Sequence, residues 1–128
     1  MTAGGISTLA ICLNHKGQNP LKDVRIQKAI DWMGKNLAFD QNPNKGGWHY
    51  YWIYSVERAG SMAGTQWFKD RPWYFEGATW LLEKQAGDGS WGQANEGEKV
   101  CDTCWAILFL KQASGELRKK ITLSGPGK

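Results

Sequence analysis

The sequence predicts an all-α protein assembled from short helices that alternate between apolar and amphipathic character. Clusters of Gly, Pro and Asn divide the chain into five helix-length segments, and apolar residues recur at helical spacing within them. Two pairs of segments also resemble each other. The 128 residues, 41% of them apolar, are enough for one domain with its own core.

The first two segments are predicted to be a short apolar helix and an amphipathic helix. Four apolar residues within 6–13 fall at i, i+3, i+4 and i+7, ahead of a polar and glycine stop at 14–17. The second helix begins after Asp23, whose side chain suits an N-cap. Its apolar stripe extends over residues 26–37, with charged residues off the stripe.

The remaining segments are predicted to be two buried helices separated by an amphipathic one. Residues 48–59 are aromatic on nearly every side, which is typical of a buried helix. The fourth helix begins near Asp70, with Pro72 in its first turn, where a missing amide hydrogen has little cost. The fifth is apolar without a break over residues 104–110, and we expect it to be buried too.

Two alignments of the sequence with itself indicate a repeat of about 50 residues. Residues 29–33 match 77–81 at an offset of 48, and residues 48–60 match 102–114 at an offset of 54, which predicts a longer loop in the second repeat. An outer amphipathic helix followed by an inner apolar one is the signature of a helical array or α/α toroid. We therefore expect tandem helical hairpins over 1–115, about two and a half repeats forming an incomplete toroid, and a basic, flexible tail over 116–128. A five-helix bundle is the alternative.

The most specific motif is Gln85-Ala-Gly-Asp-Gly89-Ser-Trp91, at the end of the fourth helix. It resembles the QW motif of the squalene cyclase and protein prenyltransferase β-subunit superfamily, also called the prenyltransferase and squalene oxidase repeat. The resemblance implies that Gln85 caps the outer helix and stacks toward Trp91, while Gly89 allows the tight bend. Residues 46–48 retain only the turn and the aromatic residue of a degraded first copy.

Residues 50–60 and 102–111 also resemble this superfamily, in the inner helices of large bacterial repeat proteins. The resemblance covers roughly residues 1–115 and implies that inner helices line a cavity, here an open groove because five helices are too few to close a ring. Rings of the inner helices are expected to line that groove or to pack between hairpins. The candidate groove residues are Tyr50, Tyr51, Tyr54, Trp105 and Phe109. Such a surface suits isoprenoid chains or stacked sugars.

The resemblance to terpene cyclases does not extend to a catalytic acid. Protonation of an alkene requires a carboxylic acid held neutral by its neighbours, which those enzymes supply with an Asp-x-Asp-Asp cluster. The acidic residues of this chain are isolated from one another in sequence. We therefore assign no catalytic residue and expect that this chain alone is not an enzyme.

A zinc site is an alternative interpretation of the residues at the start of the fifth helix. Protein prenyltransferases present an Asp-x-Cys pair as zinc ligands, and Asp102 with Cys104 is similar, with His49 as the nearest third ligand. Residues two apart on a helix point about 200° from each other, so both reach one ion only if Asp102 is the N-cap. We expect instead that Asp102 caps the helix, that Cys104 is a small buried group, and that no cofactor is bound.

Composition constrains partners and compartment. The net charge is +4, and the basic run at 118–120 is expected to be a solvated tail, so no nucleic-acid partner is predicted. Three cysteines, an odd number, favour free thiols in a soluble, cytoplasmic protein. No apolar run reaches the ~18 residues of a membrane span. An isoprenoid or other apolar ligand, a second copy, or other domains of a longer chain are the expected partners.

Three functional hypotheses remain open at this point. The first is a non-catalytic repeat domain, part of a larger protein, that binds an apolar or extended ligand or mediates assembly. The second is a fragment of an active terpene cyclase or zinc prenyltransferase, with its catalytic residues elsewhere in the parent chain. The third is a carbohydrate- or peptide-binding module that uses the aromatic rings of the groove.

Overall fold

A computed structural model describes residues 1–43, 47–92 and 96–112, and this part of the chain contains five α-helices and no β-strand. The prediction of an all-α protein is confirmed. A short 3-10 helix, Pro20–Lys22, lies between the first two helices. The tail predicted over 116–128 lies outside the described residues. The five helices are α1 (Thr2–His15), α2 (Val24–Asn36), α3 (His49–Ala63), α4 (Trp73–Lys84) and α5 (Glu96–Leu110).

Helix α3 is the centre of the fold. It makes the most extensive helix contacts of the described chain, with α1 and with α5. Helix α2 packs on α1, and α4 contacts both α3 and α5. This arrangement explains why α3 could be predicted as buried, because helices pack on it from more than one direction.

The ends of the helices follow local signals in the sequence. Asp23 is the N-cap of α2, as predicted, and its Oδ1 accepts a hydrogen bond from the amide of Arg25 at 2.8 Å. The guanidinium of Arg25 also pairs with this carboxylate and lowers the pKa of Asp23 to about 2. Helix α3 ends at Gly64, whose φ of 75° lies in the left-handed region that glycine adopts without strain.

The core is filled by apolar side chains from all five helices and from the loop before α4. Its most deeply buried members include Ile6, Ile26, Met33, Ile53, Phe68, Leu81 and Phe109. One charged residue, Glu57, is also buried; its carboxylate accepts hydrogen bonds from Arg58 Nε at 2.6 Å and from Ser61 Oγ at 2.6 Å. These partners offset the cost of burying its charge.

The loop between α3 and α4 connects α2 with α4. Arg71 donates a hydrogen bond from Nη1 to the carbonyl oxygen of Leu37 at 2.6 Å, at the end of α2. The same guanidinium forms an ion pair with Glu76 in the first turn of α4. Gly34 on α2 packs so closely on this loop that a Cβ there would lie 2.6 Å from the carbonyl oxygen of Phe68. The end of α2 and the start of α4 are therefore held together.

The predicted start of the fifth helix was wrong. Helix α5 begins at Glu96, well before the apolar run at 104–110, so Asp102 lies inside the helix and is not its N-cap. The connections 37–48 and 85–95 are consequently almost equal in length, and the prediction of a longer second loop was also wrong. The dipole of a helix stabilises acidic residues near its N-terminus, and residues 96–99 include such residues. The prediction of where the fifth helix begins did not use this signal.

The prediction that α5 is buried on all sides was wrong as well. Val100, Ile107 and Leu108 are exposed, and so is Cys104, which was expected to be a small buried group. Ala106 and Phe109 are the fully buried residues of this helix. The physical reason is that α5 packs against α3 and α4, and one of its faces has no neighbour within the described chain. None of the described helices is both long and apolar enough to cross a membrane.

Candidate ligand cleft

A cleft with a volume of about 1060 Å³ lies where the first turns of α3 and α5 meet the last turns of α4. We call it the α3–α5 cleft. Aromatic rings and charged side chains share its walls. The lining residues are Asp40, Gly47, Trp48, His49, Tyr50, Tyr51, Trp80, Lys84, Ala86, Gly92, Glu98, Cys101, Asp102 and Trp105.

The rings of the α3–α5 cleft form two groups. On one side the His49 ring lies 5.1 Å from the Trp80 ring, measured between centroids, and Tyr50 lies 6.0 Å from Trp80. On the other side Tyr51 meets the Trp105 ring edge to face at 5.3 Å. Each group combines a ring from the start of α3 with one from a neighbouring helix, because α4 and α5 both pack on α3. Edge-to-face and tilted contacts of this kind hold the rings in place.

His49 is oriented by the backbone of the preceding loop. Its Nε2 lies 2.7 Å from the carbonyl oxygen of Phe39. Because a carbonyl oxygen only accepts hydrogen bonds, Nε2 carries the hydrogen, and Nδ1 is the acceptor nitrogen of the neutral ring. A tilted contact with Tyr50 and an edge-to-face contact with Trp80 fix the plane of the imidazole.

Asp102 lines the same cleft as both ring groups. It interacts electrostatically with His49 and Tyr50, and it precedes Trp105 on α5 by one helical turn. Gly92 makes room for it: a Cβ on Gly92 would lie 2.6 Å from Oδ2 of Asp102. A side chain at position 92 would therefore displace this carboxylate from the cleft.

Burial changes the acidity of two groups in the α3–α5 cleft. It raises the pKa of the Asp102 carboxyl, an effect that His49 opposes and Glu98 increases. It also raises the pKa of Tyr50, whose hydrogen bond with the backbone of Gly92 acts in the opposite direction. The ionised form of Asp102 is therefore less favourable here than in water. A cation placed beside the carboxylate would stabilise that ionised form.

Trp48 stands at the mouth of the cleft and is 78% exposed. Its backbone φ of 64° lies in the left-handed region, which is uncommon for any residue other than glycine. Such conformations cost on the order of 1 kcal/mol and are concentrated at functional sites. An exposed indole on a strained backbone at the edge of an aromatic cleft is suited to contact a ligand.

The turn after α4 adjoins the cleft and is held in place by hydrogen bonds. Gln85 donates a hydrogen bond from Nε2 to the carbonyl oxygen of Gly89 at 2.9 Å, and Gly89 has a φ of 84°. Trp91 is buried, and its indole nitrogen donates to the carbonyl oxygen of Leu81 at 2.7 Å. Its backbone amide donates to Thr103 Oγ1 at 3.0 Å. Trp91 therefore joins α4 to α5, whereas Trp48, its counterpart in the predicted repeat, is exposed.

The candidate groove residues fall into three places. Tyr50, Tyr51 and Trp105 line the α3–α5 cleft. Tyr54 packs against the Trp105 ring, with 4.8 Å between their centroids, outside the cleft lining. Phe109 is fully buried and stacks on Tyr74 at 5.5 Å, so of the two roles the sequence offered it takes the packing one.

The candidate zinc ligands do not converge. His49 and Asp102 line the same cleft, but Cys104 does not; the cysteine among the lining residues is Cys101. Because Asp102 and Cys104 are both inside α5, their side chains point about 200° apart. In the parts of the chain that the structure describes, no group of three His, Cys, Asp or Glu side chains is arranged to hold a metal ion.

Several residues of the cleft were not predicted from the sequence as site residues. Trp80 belongs to the fourth helix, which was predicted only as amphipathic, and Trp48 to the degraded turn at 46–48. Glu98 and Cys101 were missed because the prediction placed the start of α5 too late. Lys84, the last residue of α4, was not considered. A helix starting near residue 96 would have put Glu98, Cys101, Asp102 and Trp105 at i, i+3, i+4 and i+7, on one face.

Comparisons with protein-family models, with curated proteins and with solved structures found no match.

Proposed function

We propose that this chain is a ligand-binding unit built from helical hairpins, of the terpenoid cyclase and prenyltransferase kind, and that it acts without catalysing a reaction. Its ligand is an extended apolar molecule, such as an isoprenoid, that occupies the α3–α5 cleft. The observation that carries this proposal is that rings from α3, α4 and α5 line one cleft of about 1060 Å³. Ligand sites are commonly concave, apolar and aromatic, with a few polar groups that orient the ligand.

The placement of the rings supports a stacked or edge-on contact with the ligand. Trp48 and Tyr51 are both at least half exposed, so a ligand can reach them without any rearrangement of the core. Trp80 and Trp105 are partly buried and held by their neighbours, so little side-chain freedom is lost when a ligand binds. Burial of apolar surface against these rings stabilises the complex by roughly 25 cal/mol per Å².

The alternation of apolar and amphipathic helices along the chain supports an arrangement in helical hairpins. Helix α3 contacts α1 and α5, which are the other two apolar helices, while α2 and α4 are the amphipathic ones. The exposed apolar face of α5 is the surface on which we propose that a second copy, or another domain of a longer chain, would pack.

An oligosaccharide is the second candidate ligand, favoured by the combination of an exposed Trp48 with carboxylates at Asp40 and Glu98. Sugar rings stack on flat indoles, and their hydroxyl groups donate hydrogen bonds to carboxylates. The two classes are separable because an isoprenoid offers no such hydroxyl groups along its chain.

The test is a titration of the purified protein with geraniol and, separately, with a linear oligosaccharide. We expect geraniol to bind, and Trp48→Ala to weaken binding about tenfold because a ring contact is lost from the mouth of the cleft. Isothermal titration calorimetry measures both affinities.

Trp67→Ala is the matched control for this test. Trp67 is also exposed, at 52%, but it belongs to the loop before α4 and does not line the cleft. We expect it to leave the affinity unchanged. Binding of the oligosaccharide alone would favour the second candidate, and binding of neither ligand would contradict the proposal.

A further inference from the structure

The charge of the α3–α5 cleft is opposite in sign to that of the whole protein. The chain carries a net charge of +4. The cleft is lined by three carboxylates, those of Asp40, Glu98 and Asp102, and by one ammonium group, that of Lys84. A concave surface with this balance concentrates cations and repels anions.

The rings and the carboxylate of Asp102 share one cleft, where a single cation can contact both. His49, Tyr50 and Trp80 form one group of rings in its lining, and Tyr51 with Trp105 forms the other. The face of an aromatic ring carries negative charge and attracts a cation within about 6 Å of its centre. Trp48, exposed at the mouth, adds a further indole, the ring type that binds cations best.

We propose that the α3–α5 cleft selects an organic cation, an amine or quaternary ammonium that carries an apolar chain, with Asp102 beside the positive charge and the aromatic rings around its carbon atoms. This inference rests on the proposed function and specifies the head group of its ligand. An alkylammonium matches both features of the cleft, because its chain is apolar and its charge complements the carboxylates.

The pH dependence of cation binding has a definite sign. The ionised form of Asp102 attracts the cation, so affinity is highest above the raised pKa of this carboxyl and falls as the pH drops through it. The other charged or titratable groups that face it are His49 and Tyr50 from α3, Glu98 from α5, Lys84 from α4 and Asp40 from the preceding loop.

The experiment compares geraniol with geranylamine, which share one hydrocarbon chain and differ only in the head group. The amine is a cation at pH 7, since alkylamines have pKa values near that of lysine, about 10. We expect geranylamine to bind about tenfold more tightly than geraniol. In Asp102→Asn this ratio is expected to fall below about twofold while the affinity for geraniol is retained. Asp31→Asn, an exposed position on α2, is the control that leaves both affinities unchanged.

A second measurement needs no variant. Raising the salt concentration from about 0.05 M to 0.5 M screens charge interactions, so it weakens the binding of geranylamine and leaves that of geraniol unchanged. Equal affinities for the two ligands in the wild-type protein would overturn the inference and leave the proposed function intact. A loss of both affinities in Asp102→Asn would also overturn it, because the residue would then only shape the cleft. If neither ligand binds, both proposals fail.

Discussion

Replacement of Trp91 by alanine is expected to lower the free energy of unfolding by about 3 kcal/mol, the largest effect of any single substitution considered for this protein. The indole is buried at 4% exposure, and the space that it leaves cannot be filled by the turn residues around it. The substitution also removes the donor to the carbonyl oxygen of Leu81. Urea denaturation followed by circular dichroism measures the change.

Two further variants show which part of Trp91 matters. Trp91→Phe retains most of the ring but removes the indole donor, and we expect a cost of about 1 kcal/mol. Trp48→Ala deletes the same side chain at an exposed position, and we expect a change below about 0.5 kcal/mol. If Trp91→Ala and Trp48→Ala had equal effects, the view that Trp91 joins α4 to α5 would be wrong.

The second large effect is expected at Gly77, where α4 packs closely on two buried rings. A Cβ at this position would lie 2.6 Å from a ring carbon of Phe39 and would also overlap the ring of Phe109. Both rings are buried, so neither moves away without disturbing the core. We expect Gly77→Ala to destabilise the protein by about 2 kcal/mol.

Gly5→Ala is the matched control, since it is the same substitution in another helix. Gly5 lies in α1, and a Cβ there would meet no atom within 4 Å. Alanine lowers the entropy of the unfolded chain relative to glycine, so this variant is expected to be more stable by about 0.5 kcal/mol. Thermal unfolding of the two variants should therefore shift in opposite directions, and a stabilising Gly77→Ala would contradict the close packing of α4.

Local signals in the sequence were sufficient to predict much of the fold. The N-cap at Asp23 and the stripe over 26–37 define α2, and the aromatic segment from Trp48 defines α3. These predictions depend on neighbours within a few residues, where spacing and capping chemistry decide the structure. The predicted start of α5 was wrong because the first two turns of this helix carry few apolar residues. Hydrophobic periodicity therefore gave no signal there.

The site was predicted less completely than the fold, because it depends on contacts between distant segments. Tyr50, Tyr51 and Trp105 were expected to line a ligand groove; they lie in the lining of the α3–α5 cleft, and their contact with a ligand stays a prediction. Trp80 was not expected there, since its helix was predicted only as amphipathic. Cys104 was considered because of a resemblance, and the register of α5 places Cys101 at the cleft instead.

The indole N–H signals of the eight tryptophans offer the most direct test that the rings of α3, α4 and α5 form one binding cleft. Geraniol is added to the ¹⁵N-labelled protein, and the signals are followed by NMR spectroscopy. We expect the signals of Trp48, Trp80 and Trp105 to shift together, while those of Trp73 and Trp91, which donate to backbone carbonyls, remain in place. Unchanged signals from the three cleft tryptophans, or equal shifts of all eight, would contradict the proposed cleft.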